Sequence, residues 1–158
     1  MLVIAWKYSH GLDNPMNWNR ILPSVDESYQ GPKIPFYFLI LVTIASTARS
    51  LIHILAPDGG AYSIAGIDIL VPGGTNIVAM FGQWGASQLI LALIFWLVIF
   101  RYRFLIPAMI AVVFLEQVLR VLAGQLKPVE VAASPPGGIG SLLLLPLSLI
   151  FFLLSIKR

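Results

Sequence analysis

Residues 101–123 read RYRFLIPAMIAVVFLEQVLRVLA, and this stretch decides how the rest of the chain is interpreted. It is long and apolar enough for a membrane span, which needs about 20 residues, yet it contains Glu116, Gln117 and Arg120. A charge in hydrocarbon costs roughly 2.5 to 3.5 kcal/mol, so such residues usually face a bundle interior and pair there. Glu116 precedes Arg120 by four residues, which places the two on one helix face in the favourable order. Other helices are therefore expected to meet this face.

The composition is that of an integral membrane protein. Of 158 residues, 58% are hydrophobic and 11% are charged, whereas charged residues make up about a quarter of a soluble domain. One compact membrane domain is expected at this length. The net charge of +3 does not indicate a nucleic-acid partner, because the basic residues form no patch interleaved with aromatic rings. The absence of cysteine excludes disulfides and thiolate chemistry.

Four membrane spans are predicted, and they define an all-α integral membrane protein built as an antiparallel four-helix transmembrane bundle. Their expected bounds are about 35–56, 77–100, 104–123 and 139–156, each close to the length that a bilayer requires. Thr75 or Asn76 is expected to cap the second span, because both residue types favour helix N-termini.

Two segments outside the spans have patterns of their own. Residues 1–33 are polar, turn-rich and dotted with aromatic rings, which predicts a cytoplasmic interfacial arm ahead of a membrane domain at 34–158. The first outer loop contains near-alternating apolar residues, which predict a short strand-like or interfacial flap. These residues are Ile64, Ile67, Ile69 and Val71.

The basic residues set the expected orientation. Under the positive-inside rule, both termini and the turn between the second and third spans are cytoplasmic. Seven of the ten basic residues support this: Lys7, Arg20, Lys33, Arg101, Arg103, Lys157 and Arg158. The layout resembles, in architecture only, four-helix bacterial membrane proteins such as the DoxX-like group, from which no residue role or activity is carried over. The expected location is the bacterial plasma membrane.

Polar residues from three of the predicted spans share one layer. At 1.5 Å per residue, Arg49 and Glu116 lie roughly 10 Å below the outer boundary, and Gln83 reaches a similar depth from the opposite direction. This layer predicts a ligand-binding site of eight residues: Arg49, His53, Gln83, Trp84, Gln88, Glu116, Gln117 and Arg120.

The charges in this layer do not balance. With His53 neutral, Arg49 and Arg120 against Glu116 leave one positive charge. An anion is therefore expected to complete the layer, and arginine suits carboxylate and phosphate because it offers paired N–H donors. The candidates are a lipid headgroup, a small ligand, or a carboxylate of the first outer loop, Asp58 or Asp68. The alternative is a layer of internal hydrogen bonds that only fixes helix register.

Two functions therefore stay open. The first is a small polytopic membrane protein whose polar, net-positive pocket, in the outer half of the bundle, binds a small anionic or amphipathic ligand or a lipid, with transport as one use. The second is a non-catalytic accessory or structural subunit of a larger membrane complex. Gly82, Gly85 and Ala86 would provide a packing seam between helices.

Catalysis is not expected from this sequence. No nucleophile motif accompanies His53, and one histidine and one glutamate on different helices are too few ligands for a metal. We predict no catalytic residue, no metal site and no cofactor. The expected partners are membrane lipids, a small anionic ligand, and either copies of this chain or a larger membrane complex.

Overall fold

The computed structural model describes residues 22–23, 27–131 and 136–157. Within these ranges the chain is all-helical, and its four α-helices are each long and apolar enough to cross a membrane. The predicted helical class and the number of candidate spans are therefore confirmed. Most of the predicted arm, residues 1–21, lies outside the described residues. The helices are α1 (Lys33–Leu55), α2 (Gly74–Phe100), α3 (Ile106–Leu126), preceded by a 3-10 turn at Arg103–Leu105, and α4 (Pro136–Ser155).

The helix ends differ from the predicted ends by at most three residues. One correction concerns the start of α2, where Gly73 is the N-cap and adopts φ of 90°. This left-handed conformation suits glycine, so Thr75 and Asn76 lie inside the helix and not at its cap. α1 ends at Leu55 because Ala56 is extended, with ψ of 141°, as expected for a residue that precedes a proline.

Helix packing is closest within two pairs, α1 with α2 and α3 with α4. The apolar core lies toward the α2–α3 turn, where Leu39, Phe95, Ile106 and Ile110 are fully buried. The polar residues of the predicted site lie farther along the same helices, beyond Val113. The core therefore holds three helices together at one end and presents the polar residues at the other.

A row of serines lets α4 pack against its neighbours. Ser141, Ser148 and Ser155 recur every seven residues and are buried, and small side chains of this kind allow close helix approach. The hydroxyls of Ser148 and Ser155 donate to the carbonyls of Leu145, at 3.0 Å, and Phe152, at 2.6 Å. Their polar atoms are thus satisfied within the helix itself.

The strand-like version of the first outer loop is wrong. Residues 56–65 and 70–73 form turns and bends, residues 66–69 are irregular, and no strand occurs among the described residues. Gly59, Gly60 and Gly66 have positive φ values of 59°, 75° and 68°, which bend the chain too tightly for the isoleucines to align in a strand. Gly59 and Gly60 are buried and lie close to His53 and Phe81. The loop therefore folds back onto α1 and α2.

Candidate functional site

Four of the eight predicted site residues meet in one hydrogen-bonded group. Arg49 comes from α1, Gln88 from α2, and Glu116 and Arg120 from α3. We call these four side chains the polar cluster. The predicted pair within it is confirmed, since Arg120 Nη2 lies 2.8 Å from Glu116 Oε1.

Gly85 brings α1 and α2 close enough for the cluster to form. A Cβ added at Gly85 would lie 2.6 Å from the Cβ of His53 and 3.0 Å from the carbonyl oxygen of Ser50. Neither atom can move without the backbone of α1. Of the three residues predicted to form the packing seam, only Gly85 makes a close contact. Ala86 is exposed, and a Cβ at Gly82 would lie 3.7 Å from the nearest atom, an ordinary van der Waals distance.

Glu116 Oε1 is the common acceptor of the polar cluster. It accepts from Arg120 Nε at 2.9 Å, Arg120 Nη2 at 2.8 Å and Gln88 Nε2 at 2.8 Å. Gln88 Oε1 in turn accepts from Arg120 Nη2 at 3.0 Å and from Arg49 Nη2. Arg49 Nη2 itself lies 4.0 Å from Glu116 Oε1, so Gln88 is the bridge between the first and third helices.

Arg49 is incompletely paired within the described residues. Its Nε is buried and has no hydrogen-bond partner in the part of the chain that the structure describes. Its side chain is 32% exposed, against 19% for Glu116 and 18% for Arg120. A buried donor without a partner costs about 1–3 kcal/mol, and more when it is charged. The cluster thus contains a spare donor on a charged group.

The loop carboxylates do not supply the missing negative charge. Asp58 accepts the amides of Ser63 at 2.7 Å and Gly60 at 2.9 Å, and Asp68 accepts the amide of Leu70 at 2.9 Å. These backbone hydrogen bonds, that of Ser63 first, lower the pKa of Asp58 to about 2. The expectation that Asp58 or Asp68 folds onto Arg49 is therefore corrected: both carboxylates stabilise the loop that contains them.

Trp84 covers one side of the polar cluster. The Cζ atoms of Arg49 and Arg120 lie 5.4 Å and 4.9 Å from its ring centroid, within the range of cation–π attraction. His53 stacks on Trp84, with the ring centroids 4.9 Å apart. The same indole ring thus touches both arginines and the histidine.

His53 belongs to the contact between the loop and the helices. Its side chain is 4% exposed, and Nδ1 lies 2.7 Å from the carbonyl oxygen of Gly59, so Nδ1–H is the donor. Nε2 is buried without a partner among the described residues. His53 therefore connects the outer loop to the polar cluster through Trp84, and makes no described hydrogen bond to the arginines.

Two predicted site residues lie apart from the polar cluster. Gln83 is exposed and lies five residues before Gln88, which turns it by about 140° around α2. Gln117 is buried, with 5% exposure, but none of the described hydrogen bonds joins it to the cluster. The amide of α2 that reaches the charged residues is that of Gln88.

The sequence interpretation missed one polar contact between α1 and α2. Trp96 Nε1 donates to the hydroxyl of Thr47 at 3.1 Å. A tryptophan inside a predicted span was the available signal, because a buried indole N–H usually requires an acceptor.

A separate cleft of about 240 Å³ lies at the other end of α3. It is bordered by residues 28–31 and 155–157 together with Phe104 and Pro107. Burial raises the pKa of Tyr29 at this cleft. Because the cleft is far along the helices from Arg120, it is not part of the polar cluster.

No protein-family model matches the chain, and neither a curated protein nor a solved structure matches it. The four apolar helices suggest a membrane protein. Any more specific function has to be inferred from the polar cluster itself, because a helical architecture hosts many activities.

Proposed function

We propose that this is a small polytopic membrane protein that binds a small anionic or amphipathic ligand at the polar cluster. In this proposal the four helices form an antiparallel transmembrane bundle, both termini are cytoplasmic, and the cluster lies in the outer half.

The distribution of charge supports this orientation. Lys33, Arg101, Arg103 and Lys157 all lie at the end of the helices that contains the α2–α3 turn, while the opposite end offers Lys127. Basic residues concentrate on the cytoplasmic side of membrane proteins. Arg49 and Arg120 each precede the end of their helix by six residues, which is about 9 Å from the outer helix ends.

The Nε of Arg49, which has no hydrogen-bond partner among the described residues, is the observation that carries the proposal. A network that served only to fix helix register would satisfy its buried donors, since a partly satisfied network is costly at low dielectric. The cluster also holds two guanidinium groups against one carboxylate. An added carboxylate or phosphate would supply the absent charge and, once the Arg49 side chain turns to bring its buried Nε to the ligand, the absent acceptor. Charge-assisted bonds of this kind are among the strong ones.

The test compares Arg49→Gln with Lys127→Gln in detergent. Both changes remove one positive charge, but Lys127 is an exposed residue at the end of α3. Inorganic phosphate, acetate and phosphatidylglycerol are the probes. At least one of them should raise the unfolding free energy of the parent, by about 2.7 kcal/mol at a hundredfold excess over Kd. Lys127→Gln should keep this response and Arg49→Gln should lose it.

A different pattern would reject the proposal. If no anion stabilises the parent more than it stabilises Arg49→Gln, the polar cluster is a structural network, and the spare donor of Arg49 has no ligand.

A further inference from the structure

We infer that the ligand of the polar cluster is an anionic lipid, which reaches the arginines sideways from the hydrocarbon and rests its acyl chain on exposed leucines of α3. This inference rests on the proposed function, and it names the class of ligand for the same site.

Arg49 and Glu116 lie at the border between the buried face and the exposed face of their helices. Neighbouring residues on a helix point about 100° apart. On α1, Ala48 before Arg49 is exposed and Ser50 after it is buried. On α3, Leu115 before Glu116 is exposed and Gln117 after it is buried. Both charged side chains therefore stand where the packed face of the helix meets the outer surface.

A stripe of leucines runs directly beside the charges of α3. Leu115, Leu119 and Leu122 follow one another at spacings of four and three residues and are 54%, 54% and 47% exposed. Residues at these spacings share one helix face. Arg120 follows Leu119 immediately, so this apolar face adjoins the face that carries Glu116 and Arg120.

The apolar border on both sides favours a ligand that arrives from the membrane. On α1, Ile52 is 41% exposed and lies three residues after Arg49, which places it about 60° from Arg49 around the helix. A hydrated anion that took this route would have to leave water without compensation, which is costly. A lipid keeps its chain in hydrocarbon throughout, and arginines below the boundary draw headgroups and water inward by local thinning of the bilayer.

The net charge selects among lipids. The polar cluster carries one formal positive charge, from Arg49 and Arg120 against Glu116. A phosphodiester with a single negative charge neutralises it. A zwitterionic headgroup brings a cation of its own beside two guanidinium groups, and such like-charge contacts are a usual source of discrimination.

Trp84 provides the measurement. It contacts both arginines of the polar cluster and is 37% exposed. A quencher on the acyl chain of a lipid bound at the cluster should therefore lower the fluorescence of Trp84. Full-length protein is placed in vesicles of mixed phosphatidylglycerol and phosphatidylcholine, with bromine on the chains of one lipid at a time. The signal of Trp84 is the difference between the parent and Trp84→Phe.

Brominated phosphatidylglycerol should compete for the site beside Trp84 about tenfold better than brominated phosphatidylcholine, which corresponds to about 1.4 kcal/mol. Arg49→Gln should reduce the ratio of the apparent affinities for phosphatidylglycerol and phosphatidylcholine toward one, and Lys127→Gln should leave this ratio unchanged. Should Arg49→Gln not fold, Arg49→Lys keeps the charge and removes the planar guanidinium, and the ratio should fall there too.

The outcomes separate this inference from the proposed function. A preference for phosphatidylglycerol that depends on Arg49 supports both. Stabilisation of the parent by glycerol phosphate in the aqueous phase, with no lipid preference, overturns the lipid inference and leaves anion binding in place. A preference that survives in both Arg49 variants reports general attraction to the membrane surface and overturns the inference. No response to any anion overturns both.

Discussion

Replacement of Glu116 by glutamine removes the single negative charge of the polar cluster while keeping the shape of the side chain. Three hydrogen bonds end on Glu116 Oε1, two from Arg120 and one from Gln88. The glutamine still has an oxygen that can accept them, so the change isolates the charge. Arg49 and Arg120 are then left without a carboxylate beside them.

The expected loss follows from these contacts. A hydrogen bond to a charged group contributes about 1.5–3 kcal/mol and a neutral one about 0.5–1.5 kcal/mol, so the bond from Gln88, which becomes neutral, loses about 1 kcal/mol. The two bonds from Arg120 keep their charged donor but lose the ion pair, which contributes about 0–1 kcal/mol when exposed and costs about 3–5 kcal/mol to break when buried. The side chains of the two partners are 18% and 19% exposed, and partial access to solvent weakens such interactions. We therefore expect Glu116→Gln to lower the free energy of unfolding by about 2–3 kcal/mol.

The same substitution should strengthen anion binding, because it raises the formal charge of the polar cluster from one to two. Both quantities can be read from one set of denaturant melts in detergent, with and without phosphatidylglycerol. A destabilised protein that responds more strongly to the anionic lipid is the expected combination. A simple packing defect would lower the stability without increasing the response.

A double substitution tests which residue is the main partner. Removing one member of a buried pair typically costs about 3–5 kcal/mol, whereas replacing both by apolar residues is often neutral. Glu116→Leu combined with Arg120→Leu should therefore recover much of the loss seen in Glu116→Leu alone. If the double variant is as unstable as the single one, or if Glu116→Gln melts like the parent, the charge pairing described for this cluster does not stabilise the fold.

Three further predictions concern packing, topology and the outer loop. Gly85→Ala should destabilise the protein by about 1–3 kcal/mol through overpacking, because the added Cβ would lie 2.6 Å from the Cβ of His53. The matched control in the same melts is Gly82→Ala, whose added Cβ would lie 3.7 Å from the nearest atom. A cysteine at Tyr62, which is 65% exposed, should react with a membrane-impermeant thiol reagent from outside, and one at Lys157 should not, each being the sole thiol in the chain. The two amides that donate to Asp58 should shift in NMR titrations with a midpoint of about 2. Because this pKa is lowered in the folded state, the stabilisation by the carboxylate is present above pH about 4, its ordinary range, and is lost as the pH falls toward 2.

Each of these predictions has a clear contrary result. Equal stability of the two glycine variants would show that α1 and α2 do not meet at Gly85. Reversed labelling would place the polar cluster on the cytoplasmic side. Amide shifts with a midpoint near 4 would show that Asp58 lacks the backbone hydrogen bonds described here, and Asp58→Asn should abolish the transition.

Much of the helical architecture could be predicted from the sequence alone. Four apolar segments of bilayer length require helices, because backbone groups in hydrocarbon must be satisfied within the segment. The pairing of Glu116 with Arg120 was equally accessible, since residues four apart on a helix meet regardless of what surrounds them. Both inferences depend on local spacing, and both agree with the structure.

The partners of that pair were decided by the tertiary structure. Gln83 and Gln88 are the same residue type on the same helix, but only rotation and depth determine which one reaches Glu116. The close approach of α1 and α2 at Gly85 determines both the rotation and the depth of α2. A shift of one residue along a helix turns a side chain by about 100°. Because helix ends can be predicted only to within a few residues, the sequence alone does not determine which side chain faces a neighbouring helix.

The outer loop shows the same limit. Its apolar residues nearly alternate, as in a strand, yet glycines with positive φ bend the chain. Its aspartates accept hydrogen bonds from amides a few residues away. Composition and spacing thus determined the helices and their local charge pair, because these depend on contacts within one turn. The packing of separate helices decided which polar groups meet between helices and which donor of Arg49 has no partner among the described residues. The rotation of one helix relative to another cannot be predicted from the sequence of either helix alone.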